Sequence, residues 1–186
     1  AGYLVGETIQ TMARFIPTHL HSAGKALLIL ICIGLGLFGS RQTVTILNPS
    51  LYLVREADLS AITWAKDHLP ADETILVNPF LWGYNTYAGG DGGYWLSALA
   101  SLPTLPPPVV HGMDRSPESA SVNALSEQII TLAQHPDELH ALLQRQSIQY
   151  IFLGARGGAL SPGVLQQSNL FEEIYAEAGV FIFKTR

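Results

Sequence analysis

The sequence predicts a small α/β sandwich, with a mainly parallel sheet and a C-terminal antiparallel hairpin, preceded by one transmembrane helix. Three observations predict it. An unbroken run of apolar residues and glycine fills positions 26–39, with apolar extensions on either side. Two short runs, Thr74-Ile-Leu-Val77 and Tyr150-Ile-Phe-Leu153, are almost wholly apolar, as strands covered on both faces are. Helical patterns alternate with these strands, and that alternation points to a sheet with helices packed against it.

Ala26 to Gly39 is 14 residues, fewer than the roughly 20 that cross a bilayer, and by itself this length also fits a buried core helix. The flanks favour the membrane. Ala23, Gly24 and Thr43-Val-Thr-Ile-Leu47 lengthen the run, and Lys25 and Arg41 stand near its ends, where long cationic side chains can snorkel. Residues 23–47 reach about 37 Å as a helix, enough to span with some tilt. We therefore read 1–22 as a connecting segment or the end of an upstream element, 23–47 as the transmembrane helix and 48–56 as a linker. Residues 57–186 form the soluble domain. A secretory signal does not fit, because some two dozen mixed residues precede the apolar run. Further sequence is expected upstream of Ala1.

Charge divides the chain. Residues 1–55 carry Arg14, Lys25, Arg41 and Arg55 against Glu7 alone, +3; from Glu56 onward 14 acids face six bases, −8, for a net charge of −5. An acidic domain excludes a nucleic-acid partner, which needs clustered Lys and Arg. Cations flank the apolar helix evenly, so positive-inside reasoning does not orient it. The single cysteine, Cys32, lies in the apolar run, which leaves no disulfide or cysteine metal site within the chain.

In the soluble part, Asp58 is placed to cap a helix that runs to Leu69 and stops at Pro70. Asn78-Pro79 turns the chain after the first strand. Pro103 to Val110 is expected to be extended, because it holds three consecutive prolines. Ser116-Pro117-Glu118 opens a helix to Gln134, with a capping hydroxyl, a proline at the first position and an acid at the positive end of the dipole. Pro136-Asp-Glu138 opens another, ending near Gln146. Glu177-Ala-Gly179 is a hairpin turn between Phe171–Ala176 and Val180–Lys184.

The segment richest in functional signal is Gly89-Gly-Asp-Gly-Gly-Tyr-Trp95. Its glycines permit positive φ and close backbone approach, which suits a mobile hinge. Tyr94 and Trp95 open a short helix and offer a stacking platform for a sugar or a lipid headgroup. Asp91 precedes that helix and is either a ligand-binding acid or its cap. Elsewhere the chemistry is sparse. Gly154-Ala-Arg-Gly-Gly158 follows a strand but matches no phosphate-loop pattern. Ser161 lacks the spacing of a nucleophile elbow. His111 and Asp114 can pair imidazole with carboxylate, without a visible third member, or simply form a surface turn. His135 and His140 are five residues apart, off a common helical face, and no metal-ligand spacing emerges.

The order of motifs resembles a known architecture. It comprises Ile46-Leu-Asn-Pro49, the helix bearing Leu59 to Trp64, and Asp67-His-Leu-Pro-Ala-Asp-Glu-Thr-Ile-Leu-Val-Asn78. Asp91-Gly-Gly-Tyr-Trp-Leu96, Pro103-Thr-Leu-Pro-Pro107 and Gly179-Val-Phe-Ile-Phe183 follow. Together they resemble the C-terminal extracytoplasmic domain, with the last membrane helix, of bacterial multi-spanning glycosyltransferases of the GT-C type. A more distant similarity is to the oligosaccharyltransferase catalytic subunit, whose soluble domain carries Trp-Trp-Asp-Tyr-Gly followed by Tyr-Trp. Asp91, Gly93, Tyr94 and Trp95 match the latter part of that motif, while Gly89 and Gly90 replace its tryptophans and Gly92 its tyrosine. That replacement removes the aromatic wall with which the motif recognises a peptide acceptor.

The resemblance implies a cell-membrane enzyme with an extracytoplasmic C-terminal domain and a polyprenyl-phosphate-linked sugar donor. It places the catalytic acids, and any divalent metal, in loops between earlier membrane helices. No cofactor is then expected in this segment, which would supply the acceptor side or the scaffold. The alternative is a non-catalytic membrane-tethered binding or scaffold domain on the same framework.

Overall fold

The computed structural model describes residues 21–44, 52–114 and 116–186, together with Glu7 and Thr11. By their internal contacts the residues divide into two units, Ala1–Leu51 and Tyr52–Arg186.

In the first unit, helix α1 (His21–Val44) is 24 residues long, about 36 Å at 1.5 Å per residue and so longer than a hydrocarbon core of about 30 Å. Its window Ala26–Thr43 is long and apolar enough to cross a membrane and has no residue buried inside the protein. Apolar residues point outward on every side: Leu27, Ile29, Leu30 and Cys32, spread around the helix, are all exposed. Residues 45–51, with the end of the predicted membrane segment and the first part of the predicted linker (48–51), lie outside the described residues, as do nearly all of 1–20.

The second unit is an α/β sandwich. Its elements are α2 (Glu56–His68), β1 (Ile75–Val77), β2 (Pro79–Gly83), β3 (Thr86–Gly89), a 3-10 turn (Gly92–Trp95), α3 (Leu96–Ala100), β4 (Thr104–Leu105) and α4 (Val109–Gly112). These are followed by α5 (Pro117–Thr131), α6 (Pro136–Arg145), β5 (Tyr150–Leu153), α7 (Pro162–Gln166), β6 (Phe171–Glu177) and β7 (Val180–Thr185). The main sheet has the order β4-β1-β5-β7-β6. β4, β1 and β5 are parallel, with Leu76 opposite both Leu105 and Ile151, while β7 pairs antiparallel with β5 and with β6. The two apolar runs read from the sequence are thus neighbouring strands.

Both faces of this sheet are covered, and the alternation of side chains explains why the strands are apolar throughout. Leu76, Ile151, Leu153 and Phe183 pack with Ile129 of α5 and Leu139, Leu142 and Leu143 of α6. Ile75, Val77, Phe152 and Ile182 face the other way, onto Ala61, Ile62 and Ala65 of α2 and Leu96 of α3. The helix starts follow local chemistry. Ser116 accepts from the Ser119 N–H ahead of Pro117, and Ala178 and Gly179, at φ 48° and 84°, make the tight turn between β6 and β7.

Three expectations are corrected. Asp58 is not the cap of α2. Arg55 holds that position, and Asp58 stands three residues in, accepting from the Arg55 N–H at 2.6 Å while wholly buried. The segment from Pro103 is extended only over Thr104–Leu105 and through the prolines; Val109 and Val110, free of proline's restrictions, begin α4. The glycine-rich segment is no hinge, since Gly89, Gly90, Gly92 and Gly93 are buried and none has positive φ. Close packing is what demands glycine: a Cβ on Gly92 would lie 2.2 Å from Asp58 Cγ, and one on Gly93 2.7 Å from Val77 Cγ1.

Candidate functional site

Two places in the second unit concentrate polar side chains. One is a buried junction at the carboxyl ends of β1 and β5, where α/β sheets commonly hold ligands. Asn78 follows β1 and Gly154 follows β5. Asp91 lies between them, accepting from Asn78 Nδ2 at 2.9 Å, the Gly154 N–H at 2.7 Å and the Gly93 N–H at 2.9 Å. The last of these caps the 3-10 turn. Asp58 accepts from the Ala155 N–H at 2.9 Å, and Asn78 Oδ1 from the Leu160 N–H at 2.8 Å. The same side chains thereby tie α2, both parallel strands and the following loops together.

Burial dominates the electrostatics here. It pushes the Asp91 carboxyl up to about 6, against the lowering effect of its three hydrogen bonds and with a further small rise from Asp58. The loop after β5 closes over the junction: Arg156 Nη1 donates to the Gly90 carbonyl at 2.6 Å, and a Cβ on Gly158 would lie 2.6 Å from Asn78 Cγ.

Of the residues singled out in the sequence, Asp91 and Gly93 are thus inside this junction. Tyr94 is half-buried and Trp95 exposed, and their rings meet nearly edge-on, 6.0 Å apart and inclined at 81°. They do not form one flat stacking surface.

The second place is an open groove of about 840 Å³ between the β2–β3 hairpin and helices α4 and α5. Trp82, Tyr84 and Tyr87 supply its aromatic lining, and Asn85, Asp114 and Glu127 its polar groups. Asn123 fastens the two walls, accepting from the Tyr87 N–H at 2.9 Å and donating to the Gly112 carbonyl at 3.1 Å. Desolvation, then the charge of Glu127, hold the Tyr87 phenol above its usual value, so it stays a hydroxyl able to donate.

Asp114 lines this groove, whereas His111 does not; the His111 carbonyl lies 2.7 Å from Ser119 Oγ. The Asp114 carboxylate accepts from Ser119 Oγ, and from Ser116 Oγ and N–H at 2.7 and 3.1 Å. These bonds, in that order, and then the charge of His111 hold it below the usual carboxylate range. Asp114 is an ionised acceptor that also steadies the start of α5. Among the described residues, no group of three His, Cys, Asp or Glu side chains could hold a metal ion.

The sequence reading missed the groove because its walls, 82–87 and 112–127, are far apart in sequence and only Asp114 on them is singled out in the sequence. The available signal was the run Trp82-Gly-Tyr-Asn-Thr-Tyr87, where Tyr84 and Asn85 take φ of 50° and 58° at a two-residue hairpin turn. No protein-family model matches the chain, and no curated protein matches it. Fold and site define it as an α/β domain with an aromatic groove, on a chain whose described residues include one helix long and apolar enough to span a membrane.

Proposed function

We propose that this chain is the C-terminal, acceptor-side or scaffold part of an integral membrane glycosyltransferase using a polyprenyl-phosphate-linked sugar, and that its groove receives the glycosyl-bearing substrate. The carrying observation is the composition of the groove. A pyranose offers an apolar C–H face to rings such as Trp82 and Tyr84, and hydroxyls to Asn85, Asp114, Glu127 and the Tyr87 phenol. An open, mostly preformed concavity with few convergent polar groups is the usual form of a small-molecule site. The apolar helix α1 and the resemblance of the motif order add the membrane and the lipid-linked donor.

A second reading, a non-catalytic binding or scaffold domain, is favoured by Asp114. Its hydrogen bonds keep it ionised, which suits gripping a hydroxyl better than transferring a proton. Neither reading gives this segment bond-making; only the first places it in an enzyme, whose catalytic acids would lie outside the segment.

Calorimetric titration of the full chain in nanodiscs with a short-chain polyprenyl-phosphate sugar, and with the free glycan, tests the proposal. Trp82→Ala should abolish binding while shifting stability by no more than about 0.5 kcal/mol, as expected for an exposed side chain. Trp95→Ala should bind as wild type does. Undiminished binding by Trp82→Ala would refute the groove assignment.

A further inference from the structure

The hairpin that walls the groove ends in an apolar tip that the fold itself does not use. Leu81 is 54% exposed, Trp82 57% and Tyr84 fully so, and across the groove Met113 is 60% exposed, with Val110 of the same turn at 67%. Inside the protein such side chains would be core. Here they leave the structure at the loop farthest along the β2–β3 ribbon. Tyr84 moreover holds φ 50°, a conformation that Gly or Asn adopts at lower cost. Folding gains nothing from its ring, which therefore serves something outside the fold.

We infer that this tip, Leu81–Tyr84 with Val110 and Met113, seats in the headgroup region of a zwitterionic bilayer and holds the groove mouth at the lipid surface. The composition is that of an interfacial anchor: Trp and Tyr join an apolar body to a polar edge and gather at membrane–water boundaries, while Leu, Val and Met reach the acyl chains. The flanking charges select the lipid. Asp114 and Glu127 line the adjoining groove, and the chain from Glu56 onward carries −8. An anionic surface would repel it and a zwitterionic one would not.

The covalent chain supplies proximity. Seven residues separate Val44, the end of α1, from Tyr52, a reach of at most about 29 Å. At such a tether length even weak insertion is strongly populated, because it is intramolecular. The inference shares Trp82 and Tyr84 with the groove reading and rests on α1 spanning the bilayer; read without any sugar present, the experiment reports the seating alone, so an empty groove would leave it standing.

The test uses the full chain reconstituted through α1 into phosphatidylcholine vesicles, with Trp82 as the only tryptophan (Trp64→Phe, Trp95→Phe), and a matching form that keeps Trp95 instead. Replacing the lipid by one brominated high on its acyl chains should quench Trp82 and leave Trp95 unquenched. Adding Tyr84→Ser and Leu81→Ser should release Trp82 from quenching. Should the tryptophan substitutions disturb folding, Tyr84→Cys in a Cys32→Ser background, labelled with a polarity-sensitive dye, reads the same position and should shift to the blue in vesicles relative to detergent. An unquenched Trp82, equal quenching of both tryptophans, or a label that stays in water would each overturn the inference.

Discussion

Gly92→Ala is the sharpest probe of the buried junction, because its cost follows from distances. The added Cβ would lie 2.2 Å from Asp58 Cγ and 2.6 Å from Asp58 Oδ1, where ordinary contact begins at 3.4 Å. Asp58 would have to withdraw by about 1.2 Å, a misfit of the kind that costs roughly 1–3 kcal/mol when a core is overpacked. It cannot swing freely, since its oxygens hold the Arg55 and Ala155 N–H groups at 2.6 and 2.9 Å. That displacement strains both bonds, and the loss of each part-buried hydrogen bond costs about 0.5–1.5 kcal/mol.

Overpacking and the two lost bonds together give about 2–6 kcal/mol, a large part of the roughly 5–15 kcal/mol that stabilises a domain. For a unit of this size the melting temperature should fall by about 10–20 °C. The assay is thermal unfolding of the full chain in detergent, with hydrogen exchange at Ala155, whose amide should exchange faster. Gly163→Ala is the control: the nearest atom to its Cβ is Ser161 Oγ at 3.8 Å, so it should change stability by no more than about 0.5 kcal/mol. If Gly92→Ala melts with the control and Ala155 stays protected, the junction is not packed as described.

Two further outcomes are expected. Ile151→Asp, at a wholly buried position in the middle strand of the main sheet, should cost more than about 4 kcal/mol by burying an unpaired carboxylate and should abolish the cooperative melt. Asp91 sets a pH dependence: its folded value of about 6 lies above the 3.8 of an ordinary carboxyl. The folded chain therefore holds that proton more tightly, and the associated stability is full below pH 3.8 and lost as pH rises through 6. The loss amounts to about 3 kcal/mol; urea midpoints measured from pH 4 to 7.5 should show it in wild type, and Asp91→Asn should lack that component.

What the sequence made legible was local or periodic. The strands at 75–77 and 150–153 declare themselves because a sheet covered on both faces needs apolar residues at every position. Ser116-Pro117 and Ala178-Gly179 declare their helix start and hairpin because capping and turn chemistry lie within a few residues. The glycine-rich segment misled because its decisive neighbour, Asp58, is 34 residues away in sequence. Composition shows that glycine tolerates motion, and only the fold shows that a methyl group does not fit. Asp58 has the residue type of a cap, and its half-buried partner Ala155 is 97 residues distant. The groove was hidden for the same reason. Tyr84-Asn85 is an uncommon pair for a tight hairpin turn, and the polar groups facing it come from Asp114 to Glu127, on elements joined to the hairpin through Asn123.

We propose that the groove, rather than the glycine-rich turn, receives the glycosyl substrate. Photo-crosslinking tests it most directly: the full chain in nanodiscs is irradiated with a polyprenyl-phosphate sugar bearing a diazirine on the sugar ring, and the labelled peptides are mapped. The account predicts label on residues 82–87 and 112–127, competed away by unmodified lipid-linked sugar. Label confined to 91–95, or label in the groove that excess unmodified sugar does not displace, would contradict it.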